Sequence, residues 1–364
     1  MKKRIVTLLM AAVLMTSAVT GCSKFDGSEI VAEIDGVKVT ADVANFYSRY
    51  QQAQYETYYA GFMGEDMWEQ AGEEEKNYEE TVKEGLLDAL KTMYLIDAHK
   101  EDYGVSISEE ESAAIKAVAK EFAEANGDSE KKVISGETKN VEEVLELLTI
   151  QEKMYEAMTA DVDTEVSDDE AAQKKMQYIK LSLTTSDEEG NSIQLSEEEL
   201  TALKTKADEF NTRVAAGEDF AVVAAEYEFE VQEATFDAEA TSPAVEVVSA
   251  ADTLGEGETT GVVETEAAYF VAKVTSLFDE DATTTKKQSI INERRNTAYE
   301  DLCKEWEEAA DITIHKKVWK KIKFQEQGVT IKTVEKEDAA GDEAAADEGS
   351  GEETPVDDGS ETAE

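Results

Sequence analysis

Hydrophobic residues between about positions 41 and 160 recur every three or four residues, which is the spacing of one face of an α-helix. The clearest runs contain Leu86, Leu87, Leu90, Tyr94 and Leu95, and then Val141, Val144, Leu145 and Leu148. Ser108 and Glu111 have the spacing of a capping box, in which each side chain accepts the other's backbone N–H. This pattern predicts a mostly helical region in which Ser108 begins a third long helix.

Two short β-branched segments precede this helical region, and Asp35-Gly36 separates them. Residues 30–34 are Ile-Val-Ala-Glu-Ile, and residues 37–40 are Val-Lys-Val-Thr. Asp-Gly favours a type I′ turn, so the segment predicts a β-hairpin. Thr40 is suited to cap the helix that follows from about Ala41.

The pattern changes near Gln173 to short strands mixed with short helices. The predicted elements are a strand over 177–183, a helix from the capping box of Ser196 and Glu199 to about Ala216, a short helix over 220–226, and strands over 259–263 and 268–275. Gly217 is placed to end the first of these helices. This mixture of short strands and helices is typical of a compact α/β domain of about 100 residues.

After Asp281 the helical spacing returns, from about Lys286 to Ala309. Ile290, Ile291, Tyr299, Leu302 and Trp306 are its residues available for burial. Ile312, Ile314 and Val318 then predict a closing strand or short helix. The last thirty residues, 335–364, hold 13 acids, one lysine and no aromatic residue, which predicts a disordered tail.

The N-terminus has the layout of a secretory signal peptide. Lys2, Lys3 and Arg4 precede an uncharged apolar run from Ile5 to Val19, too short for a comfortable membrane span. The run ends in Val19-Thr20-Gly21-Cys22, and small residues before a cysteine resemble the site cleaved by the lipoprotein signal peptidase. We therefore predict cleavage before Cys22 and lipid attachment to its thiol. The alternative is an ordinary signal peptide with a chance cysteine.

Charge excludes several classes of partner. The chain of 364 residues carries a net charge of −49, and loss of the three leader cations makes it more negative. Nucleic acid is excluded as a partner, because that affinity comes from cations that neutralise phosphates. A basic membrane-binding patch is absent too, so the lipid alone must provide the anchor.

Cysteine and histidine are too scarce for a metal site or a Ser-His-Asp site. The two cysteines are Cys22 and Cys303, and the two histidines are His99 and His315. With Cys22 lipidated, Cys303 has no partner for a disulfide and is interpreted as a small core residue of a helix. The histidines have no metal-ligand spacing with it.

Four segments, in this order, resemble the PrsA-type extracytoplasmic foldases and the related periplasmic chaperone SurA. Residues 31–40, Val-Ala-Glu-Ile-Asp-Gly-Val-Lys-Val-Thr, resemble the opening strand and helix cap of that group. Residues 216–224, Ala-Gly-Glu-Asp-Phe-Ala-Val-Val-Ala, and 254–263, Leu-Gly-Glu-Gly-Glu-Thr-Thr-Gly-Val-Val, resemble two turns of a parvulin isomerase domain. Residues 268–274, Ala-Tyr-Phe-Val-Ala-Lys-Val, stand where parvulins carry their closing strand. The resemblance extends to about Lys332.

The resemblance implies an α+β protein in which a parvulin-like α/β domain is inserted into a mostly helical chaperone domain built from both ends of the chain. The implied boundaries are a signal peptide over 1–21, a tether over 22–28, the discontinuous helical domain over 29–173 and 286–334, the parvulin-like domain over 174–278, and the acidic tail over 335–364. The implied partners are unfolded exported polypeptides and the membrane, reached through the lipid on Cys22. No cofactor or metal is implied.

The chain departs from the family at the catalytic positions. A parvulin site is centred on two hydrogen-bonded histidines, and Tyr178 and Phe270 stand at their positions, with no histidine anywhere in 174–278. The family's Gly-Gly-Asp-Leu-Gly stretch is replaced by a short segment over 236–243. Rotation about a prolyl bond has a barrier of about 20 kcal/mol, and aromatic rings cannot supply the same hydrogen-bond network. We therefore expect weak or no isomerase activity and assign no catalytic residue.

Aromatic and methionine residues crowd the first predicted helical stretch: Phe46, Tyr47, Tyr50, Tyr55, Tyr58, Tyr59, Phe62, Met63, Met67 and Trp68. Such side chains suit a surface that binds varied polypeptides, and packing in the domain's own core is the alternative role. The client-binding candidates are Tyr50, Tyr58, Phe62, Trp68, Tyr178, Phe236 and Phe270.

Three functions compete at this point. The first is a membrane-tethered chaperone on the extracytoplasmic face of the cell membrane. The second is an active peptidyl-prolyl isomerase of the same architecture, against which the missing histidines count. The third is a surface lipoprotein that binds a ligand or a glycan, which stacked aromatic rings would suit.

We predict that Cys22→Ala blocks lipid attachment and normal processing, because the thiol must form a thioether before cleavage. Detergent-phase partitioning of the two proteins measures this. If wild type and variant both yield a correctly cleaved form that stays in the aqueous phase, the lipid assignment is wrong.

Overall fold

A computed structural model describes residues 13–16, 25–64, 66–72, 76–186, 191–326 and 328–332. Helices and sheets are both present, and the described strands pair antiparallel, so the protein is α+β, as expected. The predicted lipid site Cys22, most of the predicted signal peptide and the acidic tail over 335–364 lie outside the described residues.

The described strands are β1 (Val13–Thr16), β2 (Ile30–Ile34), β3 (Val37–Thr40), β4 (Lys174–Ser182), β5 (Thr184–Ser186), β6 (Ser192–Gln194), β7 (Val231–Phe236), β8 (Thr259–Glu264), β9 (Ala268–Ser276), β10 (Ile312–Ile314) and β11 (Val329–Lys332). The described helices are α1 (Ala41–Met63), α2 (Tyr78–Ala98), α3 (Glu109–Ala125), α4 (Asp128–Ile134), α5 (Thr138–Met158), α6 (Asp168–Ala171), α7 (Glu197–Ala215), α8 (Phe220–Glu226), α9 (Val245–Asp252), α10 (Glu280–Ala309) and α11 (Lys316–Trp319). A short 3-10 helix over Met67–Glu69 lies between α1 and α2.

The predicted hairpin is present as β2 and β3. Asp35 and Gly36 have φ values of 47° and 81°, as a type I′ turn requires. The Thr40 hydroxyl accepts the N–H of Val43 and begins α1, as predicted. On its other edge β2 pairs with β10, with Ile312 opposite Ile34. This sheet therefore joins the N-terminal hairpin to the segment that follows α10.

Helices α1, α2, α3 and α5 pack around the first core. Side chains of Asn77 and Ser108 cap α2 and α3, and the capping box predicted at Ser108 is present. Phe46 of α1 meets the edge of the Phe122 ring at a centroid distance of 5.4 Å. The same core receives side chains from the end of the described chain: Trp319, Ile322, Phe324 and Val329.

The carboxylate of Glu79 and the ammonium group of Lys83 hold the backbone of this returning segment. Buried Glu79 accepts the N–H of Phe324 at 2.9 Å and that of Gln325 at 3.3 Å. Lys83 pairs with Glu79 at 3.5 Å and donates to the carbonyl of Ile322. These bonds satisfy backbone groups that enter the core without a strand partner.

Helix α10 packs against α2, α5 and α6 and closes a second core at one end of the molecule. Trp306 stacks on His99 at 4.2 Å, and Cys303 is half-buried beside Tyr299, where burial raises the pKa of its thiol. The helix begins at Glu280, earlier than the expected Lys286, because Asp279 caps it by accepting the N–H of Ala282 at 2.8 Å.

Residues 174–276 form an antiparallel sheet in the order β7-β4-β9-β8 with helices on both faces. Helices α7 and α8 cover one face, and α9 covers the other. Two linking segments enter and leave this sheet unit side by side. Asp279 donates its N–H to the carbonyl of Gln173 at 2.7 Å, and the Gln173 N–H donates to the Thr283 hydroxyl at 3.1 Å.

The sequence pattern missed three elements of the sheet unit: β7, α9 and the small hairpin of β5 and β6. Strand β7 reads Val-Gln-Glu-Ala-Thr-Phe and lies at a sheet edge, where its polar residues face solvent. Helix α9 has only eight residues and begins without a side-chain cap, so it carries little local signal.

One segment of the predicted signal peptide is described, and it forms a strand. The backbone of β1 pairs antiparallel with β11, with Leu14 opposite Ile331. Among the described helices, none has the length and apolar composition that a membrane crossing needs.

We expect Phe324→Ala to destabilise α1 and α2 by about 3–5 kcal/mol, because Phe324 is 1% exposed and leaves a large cavity in the first core. Hydrogen exchange resolves the effect by region: protection of α1 and α2 should fall, while that of β4 and β9 should not. The matched control is Phe278→Ala, since that ring is 45% exposed. Equal loss of protection in both regions would contradict the discontinuous helical domain.

Candidate functional site

The C-terminal half of α1 is the centre of a cluster of aromatic rings. The ring of Trp68 lies parallel to that of Tyr78 at 5.6 Å, and the ring edges of Tyr55 and Phe324 approach it at 5.9 and 4.9 Å. Tyr59 lies 5.8 Å from Tyr55. Burial raises the pKa of the Tyr78 hydroxyl. The cluster joins α1, the 3-10 helix, α2 and the returning segment.

The outer side of this cluster is exposed. Tyr58 is 70% exposed, Tyr59 51% and Phe62 93%. Tyr58 and Phe62 are four residues apart and therefore share one face of α1. Single exposed apolar residues are ordinary, but three large aromatic side chains within two turns of one helix form a patch. We name Tyr58, Tyr59 and Phe62 the aromatic patch.

Glu56, on the same helix as the aromatic patch, accepts three hydrogen bonds. Its carboxylate accepts the indole N–H of Trp68 at 2.8 Å, the amide of Gln52 at 2.6 Å and the backbone N–H of Val329 at 2.6 Å. The patch thus lies on a helix that is joined both to the 3-10 helix and to β11. These bonds restrain the helix that carries the rings, which lowers the conformational entropy lost on binding.

A buried cation, Arg49, lies about two turns before Glu56 on α1. The guanidinium of Arg49 lies 5.7 Å from the centre of the Phe324 ring and donates to the Gln52 side chain at 2.6 Å. Burial lowers the pKa of Arg49 to about 10, although Glu56 and Glu79 act in the opposite direction. This charge belongs to the interior and is not offered to a ligand.

The structure separates the seven predicted client-binding residues into two groups. Tyr58 and Phe62 are exposed, as a binding role requires. Tyr50 and Trp68 are buried in the first core, because α1 ends at Met63 and the 3-10 helix turns Trp68 inward. Their contribution to a binding surface is limited to supporting the exposed rings. Tyr59 and Tyr78 were not among the candidates, and only the density of aromatic residues in this stretch pointed to Tyr59.

The other three candidates lie in the sheet unit, and they too are buried. Tyr178 of β4 and Phe270 of β9 are diagonal neighbours on the sheet face under α9, with ring centroids 6.2 Å apart. Phe236 at the end of β7 is fully buried in the same cluster. Val247 and Val248 of α9 pack over them. These side chains fill this face of the sheet beneath α9.

A cavity of about 930 Å³ opens between the sheet unit and α10. Ion pairs link its walls: Asp237 with Lys286 at 2.8 Å, Lys174 with Asp252 at 2.9 Å, and Arg294 with Glu170 at 2.6 Å. Burial alone would raise the pKa of Asp237, but hydrogen bonds from Lys286 and Gln173 outweigh it and lower that pKa. The lining is charged and internally paired, which does not suit an apolar ligand.

Within the described residues, no group of three or more His, Cys, Asp or Glu side chains is arranged to hold a metal ion. The acidic side chains near the cavity bind the lysines and the arginine of its walls instead.

No protein-family model and no curated protein sequence matches the chain. Solved structures similar to it are foldases and SurA-like chaperones. The foldase PrsA of Streptococcus pneumoniae is 20% identical, with 68% of this chain and 94% of that one covered and a TM-score of 0.30. The foldase PrsA of Lactococcus lactis is 12% identical, covering 81% and 99%, with a TM-score of 0.33. A Campylobacter jejuni structure of PEB4 and Cj1289, described as SurA-like chaperones, is 12% identical, covering 78% and 98%, with a TM-score of 0.28.

We expect the purified protein to show no proline isomerisation above background, because Tyr178 and Phe270 fill the sheet face with rings that offer no histidine network. A protease-coupled assay on short peptides, with several different residues before proline, measures the rate. A catalysed rate that Tyr178→Ala or Phe270→Ala removes would contradict this reading of the sheet unit.

Proposed function

We propose that this protein is a membrane-tethered extracytoplasmic chaperone that holds unfolded exported proteins through the aromatic patch of α1. The single observation that carries the proposal is the exposure of Tyr58, Tyr59 and Phe62 at the C-terminal end of a helix whose N-terminal half is buried in the first core. An unfolded polypeptide exposes apolar side chains, and large rings bind such chains without demanding a particular sequence.

The charge of the molecule supports this role. A net charge of −49 keeps copies apart and keeps bound clients in solution, so an exposed apolar patch does not lead to self-association. The predicted lipid on Cys22 would hold the protein at the membrane surface, where exported chains emerge unfolded.

The competing functions have less support. An isomerase needs an open pocket for proline, and the corresponding sheet face is closed by Phe236 and α9. A receptor for a small apolar solute needs an apolar cavity, and ten of the sixteen residues that line the cavity beside α10 are charged. For a glycan-binding protein, the ring stack of Trp68 on Tyr78 beneath the aromatic patch has its indole buried in the core.

We expect Tyr58→Ser with Phe62→Ser to weaken the suppression of aggregation. The concentration needed for half-suppression should rise about tenfold, because large central aromatic contacts dominate such interfaces. Light scattering during dilution of a chemically denatured test protein measures this. The circular dichroism melt should not move, since both side chains are exposed.

The matched control removes two exposed apolar residues from the sheet unit. Val222→Ser with Val245→Ser should suppress aggregation like wild type, because these side chains, 58% and 55% exposed, lie on α8 and α9 of the sheet unit, far from α1 in the chain. If both double variants lose activity equally, binding is spread over the whole surface and the assignment to α1 is wrong.

A further inference from the structure

Strand β11 has two edges with different partners. The N–H of Val329 donates to Glu56 and that of Ile331 donates to the Thr57 hydroxyl at 3.0 Å, so both point toward α1. Successive N–H groups of a strand point to opposite edges, and those of Thr330 and Lys332 therefore point away from α1. β1 pairs with β11 on that second edge.

The occupant of the second edge is a piece of the predicted signal peptide. Residues 13–16, Val-Leu-Met-Thr, pair with residues 329–332 in antiparallel register. Helix α4 also contacts β1, so the strand lies in a slot between β11 and α4. Cleavage before Cys22 would remove this strand and open the slot in the mature protein.

We propose that in the mature protein this slot binds an extended apolar segment of an unfolded exported polypeptide, which adds to β11 as an antiparallel strand in the place of β1. The proposal rests on the chaperone function above and specifies its mode of binding. The leader segment shows the chemistry that fits: four residues in extended conformation, apolar except for one threonine.

Main-chain pairing suits a binder of many clients. Strand addition uses backbone N–H and C=O groups that every polypeptide carries, so affinity does not depend on a particular sequence. The slot lies on the edge of β11 that faces away from α1, so it is a binding surface separate from the aromatic patch.

Charge favours a client over a second copy of this chain at the open edge. The sequence that follows β11 carries 13 acids in residues 335–364, and the whole chain is strongly negative. Two copies that approached edge to edge would bring these acidic segments together and repel each other. An apolar segment flanked by cations meets no such repulsion, and Lys2, Lys3 and Arg4 precede the leader strand itself.

The test measures binding of a labelled peptide with the sequence of residues 11–18, Ala-Ala-Val-Leu-Met-Thr-Ser-Ala, by fluorescence anisotropy. Mature chain, from Cys22 onward, should bind it. Full-length unprocessed chain should bind at least about tenfold more weakly, because the tethered leader competes at high effective concentration. A circular dichroism melt of both chains establishes that each is folded.

Substitutions at Thr330 test the pairing itself. Thr330→Pro removes the N–H that faces the slot, leaves the two bonds to α1 in place, and should weaken peptide binding about fivefold. Thr330→Val keeps that N–H and should bind like wild type. Hydrogen exchange at Thr330 and Lys332 should slow when the peptide is added to mature chain.

Three results would overturn the proposal. They are equal binding by mature and unprocessed chain, equal binding by Thr330→Pro and Thr330→Val, and a dimer of the mature chain that Thr330→Pro disrupts. The last would assign the edge to a second copy. If mature chain suppresses aggregation but fails the peptide test, the proposed function stands and the slot does not. If it binds peptide at the slot but suppresses no aggregation, the slot stands and the proposed chaperone function does not.

Discussion

Two carboxylates, Glu56 on α1 and Glu79 on α2, hold the returning segment near the end of the described chain against these two helices. Between them they accept the backbone N–H groups of Phe324, Gln325 and Val329. Hydrogen bonds to charged groups contribute about 1.5–3 kcal/mol each, and a buried N–H without an acceptor carries a comparable penalty. The segment over 319–331 depends on these bonds because it has little regular structure of its own until β11. Once it is in place, it completes the core beneath the aromatic patch.

Features that depend on neighbouring residues could be predicted from the sequence. The turn at Asp35-Gly36 and the caps at Thr40, Ser108 and Ser196 are decided within four residues and are confirmed. Ile312 and Ile314 indicate a closing strand or a short helix, and the structure has the strand, whereas its pairing with β2 depends on contacts about 280 residues apart. For the same reason β7 was missed: a polar edge strand is recognisable only once its neighbour β4 is in place.

The candidate site was predictable in part, since aromatic density marks a region without saying which rings are exposed. Phe62 and Trp68 are six residues apart and equally apolar, yet one is 93% exposed and the other 4%. The difference follows from the end of α1 at Met63, where the chain reverses and directs Trp68 onto Tyr78 and Phe324. In the sheet unit, the rings of Tyr178 and Phe270 pack together on the sheet face under α9, which stabilises that face.

The side-by-side entry and exit of the sheet unit at Gln173 and Asp279 has an evolutionary consequence. Because the two ends are already hydrogen-bonded to each other, the chain between them can be shortened, duplicated or replaced without moving the helices that surround the other two cores. The entropy of closing a loop changes only slowly with its length, so such exchanges cost the remainder little stability. Natural variation is therefore free to remodel this unit, whereas the segments that flank it must change together.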